Sequence, residues 1–361
     1  MIEKGKISAF QMAAMLYSMP VATGIVLLPA ITGKHAGRDL WLSPVVASLA
    51  GFLLVLIGYR LNKLYPNQSI MQYSISIAGR IPGKALGLVY LLFYWLLGGA
   101  VVRQYGEFIA GNFFFKTPMI VIMGVTVFAC ALAVRGGVEV LGRCSQSFIM
   151  LLVAMIAAVT ALLIPEMKPG HMLPVMENGF FPVLKGSFSP IDWFSSYFAI
   201  FFLLPFLNDG EKGMKWGSIS VVAVLLTMIA TNLTALFLFG DITATLTYPL
   251  MVAVRQISMV GFIEHVEAVV MSIWILGAVV QISMHYYVLV LGTAQWLGLD
   301  NYRQLVFPAG FLLLLMSMWA APDLQQLSYY LGTSFVFYAI AVRLVIPLLL
   351  FAVASVRSRR G

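Results

Sequence analysis

Chemistry in this chain is confined to a few polar residues set in long apolar runs. The segment Met19-Pro20-Val21-Ala22-Thr23-Gly24-Ile25-Val26-Leu27-Leu28-Pro29 places two prolines and a glycine inside one hydrophobic stretch. Pro20 removes a backbone donor and crowds the preceding turn, while Gly24 tolerates non-helical dihedrals. Ala22, Thr23, Gly24 and Ile25 are therefore expected at a break, which would free N–H groups and carbonyls and aim a half-helix N-terminus at a bound carboxylate. A kinked helix packed through small residues is the plainer alternative. A second segment, Ser195-Ser196-Tyr197-Phe198, offers hydroxyls that either face a substrate or bond back onto their own helix. Gln281, Ser283 and His285 lie together in a third run; His285 either relays a proton or hydrogen-bonds a neighbouring helix. Arg103 and Glu107 are four apart on one helical face, so they pair. That pair is a candidate ion or proton relay, or it simply neutralises two charges to permit burial. Glu264 and Glu267 suit a helix N-terminus. Arg343 has no carboxylate near it in sequence, so its partner must come from another helix or from solvent.

What is lacking narrows the function further. No Walker loop, dinucleotide fingerprint or His/Glu pair at metal-ligand spacing is present, so no enzyme activity, cofactor or metal is expected. Cys130 and Cys144 are expected to be free thiols. The formal charge of +8 could suggest nucleic acid, but its placement follows membrane topology instead.

The elements that must position these residues are transmembrane helices. Of 361 residues 61% are hydrophobic and only 10% charged, against roughly 25% charged in an average soluble domain. A span needs about 20 mostly apolar residues, and only a helix satisfies its own backbone in hydrocarbon. Ten such runs fall near residues 8–32, 41–63, 85–113, 118–135, 146–164, 191–208, 217–239, 263–297, 304–321 and 328–355. The basic head with Lys4 and Lys6 precedes a run long enough to remain as the first span. With the amino terminus inside, fourteen of the 22 lysines and arginines fall in cytoplasmic segments and six opposite; Arg103 and Arg343 lie within spans. Both termini are then cytoplasmic. Trp41 and Trp216 serve as interfacial anchors.

Five spans occupy 8–164 and five occupy 191–355, joined by a loop containing Pro165, Pro169, Pro174, Pro182 and Pro190. An odd number of spans per half forces the halves into opposite orientations, the arrangement of inverted-repeat transporters. The expected fold is a single all-α integral membrane domain, a five-plus-five inverted repeat with broken first and sixth helices.

Thr23-Gly24-Ile25 followed by Leu28-Pro29 resembles the first-helix signature of the amino acid–polyamine–organocation permease superfamily. Within it the chain resembles the endospore germination permeases, the B subunits of germinant receptors. Supporting segments include Gly5-Lys6-Ile7-Ser8, Ala36-Gly37-Arg38-Asp39-Leu40-Trp41-Leu42-Ser43 and Leu64-Tyr65-Pro66. Further along come Leu203-Leu204-Pro205-Phe206-Leu207, Lys212-Gly213-Met214-Lys215-Trp216-Gly217, Tyr286-Tyr287 and Ala294-Gln295-Trp296-Leu297. The resemblance implies a small-molecule site between the first and sixth helices, flanked by the third, so that Tyr94 is a candidate ligand contact. It implies nutrient sensing, with amino acids as the leading class, in the inner membrane of a dormant spore. An A subunit and a lipoprotein C subunit would be its partners. The chain departs from the superfamily at Ala22, where glycine is frequent, and at Ser196, Tyr197 and Phe198, where a glutamate or glycine is frequent. A proton- or sodium-coupled amino acid transporter, and a scaffold that binds nothing, are the alternative functions.

Overall fold

The computed structural model describes residues 2–259 and 266–358; Glu264 lies outside the described residues. Among them helices connected by short turns and loops make up the fold, with an isolated parallel bridge between Ile7 and Leu207. The helices are α1 (Ala9–Ala36), α2 (Ser43–Leu64), α3 (Ile70–Ala78), α4 (Arg80–Asn112), α5 (Met119–Gly136), α6 (Val138–Leu163), α7 (Phe181–Ser195) and α8 (Ile200–Leu203). They continue as α9 (Gly213–Phe239), α10 (Pro249–Met259), α11 (Val266–Leu297), α12 (Val306–Trp319), α13 (Leu324–Gly332), α14 (Ser334–Ile340) and α15 (Ile346–Ser358). Glu267 stands in the first turn of α11, as an acidic residue at a helix N-terminus should.

Eight helical stretches among the described residues are long and apolar enough to cross a membrane. The first, Ala9–Leu64, holds two helices, because Gly37 at φ 55° ends α1 and a 3-10 turn leads into α2. The 14-residue α12, ninth in chain order, brings the number of spans to ten. Large side chains left uncovered, such as Val125 at 65% and Phe311 at 63% exposure, suit contact with lipid. The protein is a multi-pass membrane protein. Spans one to five are α1, α2, α4, α5 and α6, with the short α3 between the second and third. Spans six to ten are α7–α8, α9, α11, α12 and α14–α15, with the short α10 between the seventh and eighth. A short helix therefore follows the second span of each half, while α13, between the ninth and tenth spans, has no counterpart in the first half.

Local sequence explains the boundaries. Ser8 and Gln11 form a reciprocal capping box at the start of α1, and Ser69 with Gln72 does the same for α3. Gly79 (φ 95°) and Gly137 (φ 94°) turn the chain sharply between consecutive helices. On the face opposite the amino terminus, Arg38 donates from Nε and Nη2 to both oxygens of Asp241, each at 3.0 Å. That forked contact holds the Asp241 carboxyl below the usual carboxylate range.

Three expectations need correcting. The break at Ala22–Ile25 is absent: α1 runs unbroken from Ala9 to Ala36 with Pro20 and Pro29 inside it. Each proline deletes one donor, and the helix bridges both without unwinding. Gly24 serves packing instead, since a Cβ there would stand 2.9 Å from Met228 Cε. The sixth span starts at Phe181, ten residues before the expected boundary, with Pro190 accommodated inside α7. The tenth span is not one helix, because α14 passes into a π turn, Ala341–Val345, before α15.

The sixth span does break, at the serine pair. Ser196–Ala199 is a 3-10 turn between α7 and α8. Ser195 Oγ donates to the Asp192 carbonyl at 2.7 Å and Ser196 Oγ to the Trp193 carbonyl at 2.6 Å, tightening the chain to the three-residue spacing. At the bundle centre α1 packs against α7, α9, α6 and α11, while α4 packs against α11 and α12.

The face that carries the amino terminus is sealed by a strap. Ile7 N donates to the Phe206 carbonyl (3.0 Å) and Asn208 N to the Ile7 carbonyl (2.9 Å). Ala9 N donates to Asp209 Oδ1 (2.7 Å), and Lys6 N to Glu139 Oε1 (2.9 Å). Buried Glu3 accepts at Oε2 from Tyr302 Oη (3.0 Å), Val138 N (3.2 Å) and Tyr287 Oη (3.4 Å). Tyr286 points the other way, to the Val306 carbonyl, so the adjacent tyrosines diverge.

Candidate functional site

A cavity of about 1000 Å³ enters the bundle from the face opposite the strap. Its mouth is formed by Lys34 and His35 at the end of α1, the Thr245–Thr247 segment and residues of α13. Its depth is lined by Thr23, Asp192, Ser196, Gln281, His285 and Arg343. Residues from the first, sixth, eighth and tenth spans thus converge on one space.

The polar groups at its floor form a connected network. Thr23 Oγ1 accepts from Trp193 Nε1 (3.1 Å) and Gln281 Nε2 (3.4 Å). Gln281 Oε1 accepts from Tyr105 Oη (2.9 Å). Trp274 Nε1 donates to the Ala22 carbonyl at 2.6 Å, which gives that carbonyl a partner outside its own helix. His285 Nδ1 lies 2.9 Å from the Gln281 carbonyl. A carbonyl only accepts, so Nδ1 carries the hydrogen and Nε2 of the neutral ring is an acceptor.

Arg343 finds its partner in Asp192. Arg343 Nη2 donates to Asp192 Oδ1 and, at 3.0 Å, to the Asp192 main-chain carbonyl. The guanidinium carbon stands 5.1 Å from the centre of the Phe93 ring, on which the charge rests. Two backbone irregularities create this contact. The 3-10 turn sends Ser196 N to the Trp193 carbonyl, leaving the Asp192 carbonyl to Ser195 Oγ and Arg343. On the other side, the π turn holds Arg343; such a turn inserts a residue into the helical register and re-aims side chains.

The remaining expected residues are distributed around this site. Thr23, Ser196, Gln281 and His285 line the cavity. Ala22, Gly24 and Ile25 are buried in α1 contacts instead. Ser195 is fully buried, and Tyr197 turns away to Ser220 Oγ (2.8 Å), which bonds in turn to the Ala13 carbonyl. Phe198 packs among Tyr90, Tyr94, Phe201 and Phe202. Tyr94 stands behind the lining, its ring centre 6.0 Å from that of His285 and its hydroxyl buried without a partner. Ser283 is buried away from the lining. Arg103 and Glu107 form the expected ion pair at 2.7 Å, with Arg103 also bonded to the Pro322 carbonyl. Asp192, Trp193, Trp274 and Tyr105 were missed. The sixth span was expected to start at residue 191, which leaves Asp192 at its edge; ten more residues of helix put it inside the bundle.

The family model described as spore germination protein matches residues 6–324. The chain belongs to the spore germination protein family. It is 27% identical to spore germination protein KB of Bacillus subtilis (strain 168), over 99% of this chain and 97% of that one. Spore germination protein YndE of the same organism is 22% identical over 98% of both chains. Spore germination protein XB of Bacillus anthracis is 23% identical over 77% of this chain and 78% of that one. Among solved structures, MhsT in complex with L-phenylalanine superposes with a TM-score of 0.67 at 13% identity, covering 97% of this chain and all of that one. The substrate-bound outward-open state of a Na+-coupled sialic acid symporter superposes at 0.62 and 11% identity, covering 94% and 80%. The fold is that of the inverted-repeat transporters, as the helix order implies.

Proposed function

We propose that this protein is the permease-like B subunit of a germinant receptor, which binds a small nutrient in the central cavity and thereby triggers spore germination. The observation that carries the reading is the cavity itself. In a chain of the spore germination family, a space of about 1000 Å³ ends on Thr23, Ser196, Gln281 and His285 at the crossing of the first and sixth spans. The protein binds its ligand and does not convert it. The excess of lysine and arginine on the strap side supports a cytoplasmic position for that face and both termini, with the cavity open to the outside of the spore inner membrane. Nutrient binding favours one arrangement of the bundle in proportion to its differential affinity for the two. The changed bundle then acts on an A subunit and a lipoprotein C subunit.

The test is equilibrium binding of amino acids, sugars and nucleosides to the purified protein in nanodiscs, with Val101→Trp as the control. Val101 lines the cavity and is 5% exposed, so the indole fills open space. One ligand should bind the parent, and the variant should lose it while keeping its melting temperature. Binding that survives in Val101→Trp would move the site elsewhere. Uptake of that ligand by vesicles holding this protein alone would replace the receptor with a secondary transporter.

A further inference from the structure

We infer that the Asp192–Arg343 pair is a recognition element for a zwitterion, an α-amino acid whose carboxylate takes Arg343 and whose ammonium takes Asp192. The inference rests on the cavity being the nutrient site and names the class of nutrient.

Both side chains line the cavity. Arg343 is 2% exposed and Asp192 19%, so the carboxylate sits between the guanidinium and the open space. Asp192 thus occupies the position that a ligand carboxylate would take. The guanidinium is only partly used there. Nη2 makes both contacts to Asp192, while Nε is buried with no partner. A side-on carboxylate engages Nε together with one Nη, so an incoming carboxylate satisfies a donor that Asp192 leaves stranded. Phe93 holds the guanidinium plane in place during the exchange.

The pair also selects against half-ligands. Exchanging one carboxylate for another on Arg343 keeps that charge compensated, but it releases Asp192 as a buried anion. Leaving either member of a buried pair uncompensated is strongly unfavourable. A simple carboxylic acid strands Asp192, and a simple amine strands Arg343; only a ligand with both charges compensates both. The ligand's neutral hydrogen-bonding groups then meet Ser196, Gln281 and the acceptor nitrogen of His285 across the cavity floor. No inorganic counter-ion is required, because each ligand charge meets a fixed protein charge.

The experiment is calorimetric titration of the full chain in nanodiscs with the standard L-amino acids, propanoate, ethylamine, D-glucose and inosine. Propanoate and ethylamine are the two halves of alanine; for any other amino acid that binds, its own deaminated acid and decarboxylated amine are titrated as well. At least one L-amino acid should bind, and its deaminated and decarboxylated counterparts should bind on the order of 100-fold more weakly. The double variant Arg343→Gln/Asp192→Asn leaves no buried charge uncompensated, so it should melt close to the parent while losing the amino acid. Amino acid binding by the double variant within about threefold of the parent overturns the inference, as does a half-ligand that binds as well as the whole. If D-glucose or inosine binds and no amino acid does, the pair is structural and the cavity remains the nutrient site. If no probe binds the parent, the receptor reading falls with the inference.

Discussion

At the residue scale, Thr23 is the joint of the site. Its hydroxyl oxygen accepts from Trp193 on the sixth span and Gln281 on the eighth, tying three spans together at one atom. Thr23→Val keeps the shape and removes the acceptor, leaving two donors without it. The expected loss is roughly 1–2 kcal/mol of stability, since interhelical bonds in membranes contribute about 0.6–1.7 kcal/mol each. Denaturant titration of the detergent-solubilised protein measures it, and an unchanged midpoint would show the bonds to be dispensable. Thr23, Ser196, Gln281 and His285 were legible as polar residues in apolar runs. Tyr94 was misplaced by one layer: period and depth bring it near the cavity, but only the packed structure shows His285 standing in front of it. Arg343 was legible as an anomaly and its partner was not, because the pairing depends on a 3-10 turn and a π turn that leave no mark in hydropathy.

At the scale of elements, the two glycine-mediated approaches differ in kind. A Cβ at Gly83 would lie 2.5 Å from Ile75 Cα and 2.7 Å from Ile75 N, so α3 docks backbone to backbone on α4. At Gly24 the obstacle is the terminal methyl of Met228, which can swing aside. Gly83→Ala should therefore cost about 1–3 kcal/mol, whereas Gly24→Ala should be close to neutral. Melting temperatures of the two variants check this; a neutral Gly83→Ala would mean that the α3–α4 contact can slide. The expected break fell at Gly24, where the helix continues. Proline and glycine mark tolerance for a break, and tertiary packing decides whether one forms. At Ser195 and Ser196 the hydroxyls supply alternative bonds of their own, so there the break was both legible and real.

At the scale of the whole molecule, the number of spans and their five-plus-five order followed from hydrophobic run length and the parity argument. Those signals are strong because hydrocarbon forbids an unsatisfied backbone. The short helices α3 and α10 escaped notice because neither is long enough to span. The strap escaped notice for another reason: its partners are far apart in sequence, as Glu3 is from Tyr287 and Tyr302, and Ile7 pairing with Leu207 uses no property peculiar to either side chain. Closed on that face and open on the other, the bundle presents its cavity to one side only.

The volume of that cavity has a thermodynamic consequence. A space of about 1000 Å³ holds on the order of thirty water molecules at roughly 30 Å³ each, many more than a small nutrient displaces. An arrangement that closes around the ligand must expel much of the remainder, which makes water activity a variable conjugate to closure. A solute too large to enter the cavity, such as a high-molecular-weight polyethylene glycol, should then tighten nutrient binding as its concentration rises. A slope of log Kd against osmolality corresponding to ten or more released waters is expected on this order-of-magnitude count. A flat response would mean that the nutrient binds without the cavity closing over it, and that the signal leaves the bundle by a route needing no change in its hydration.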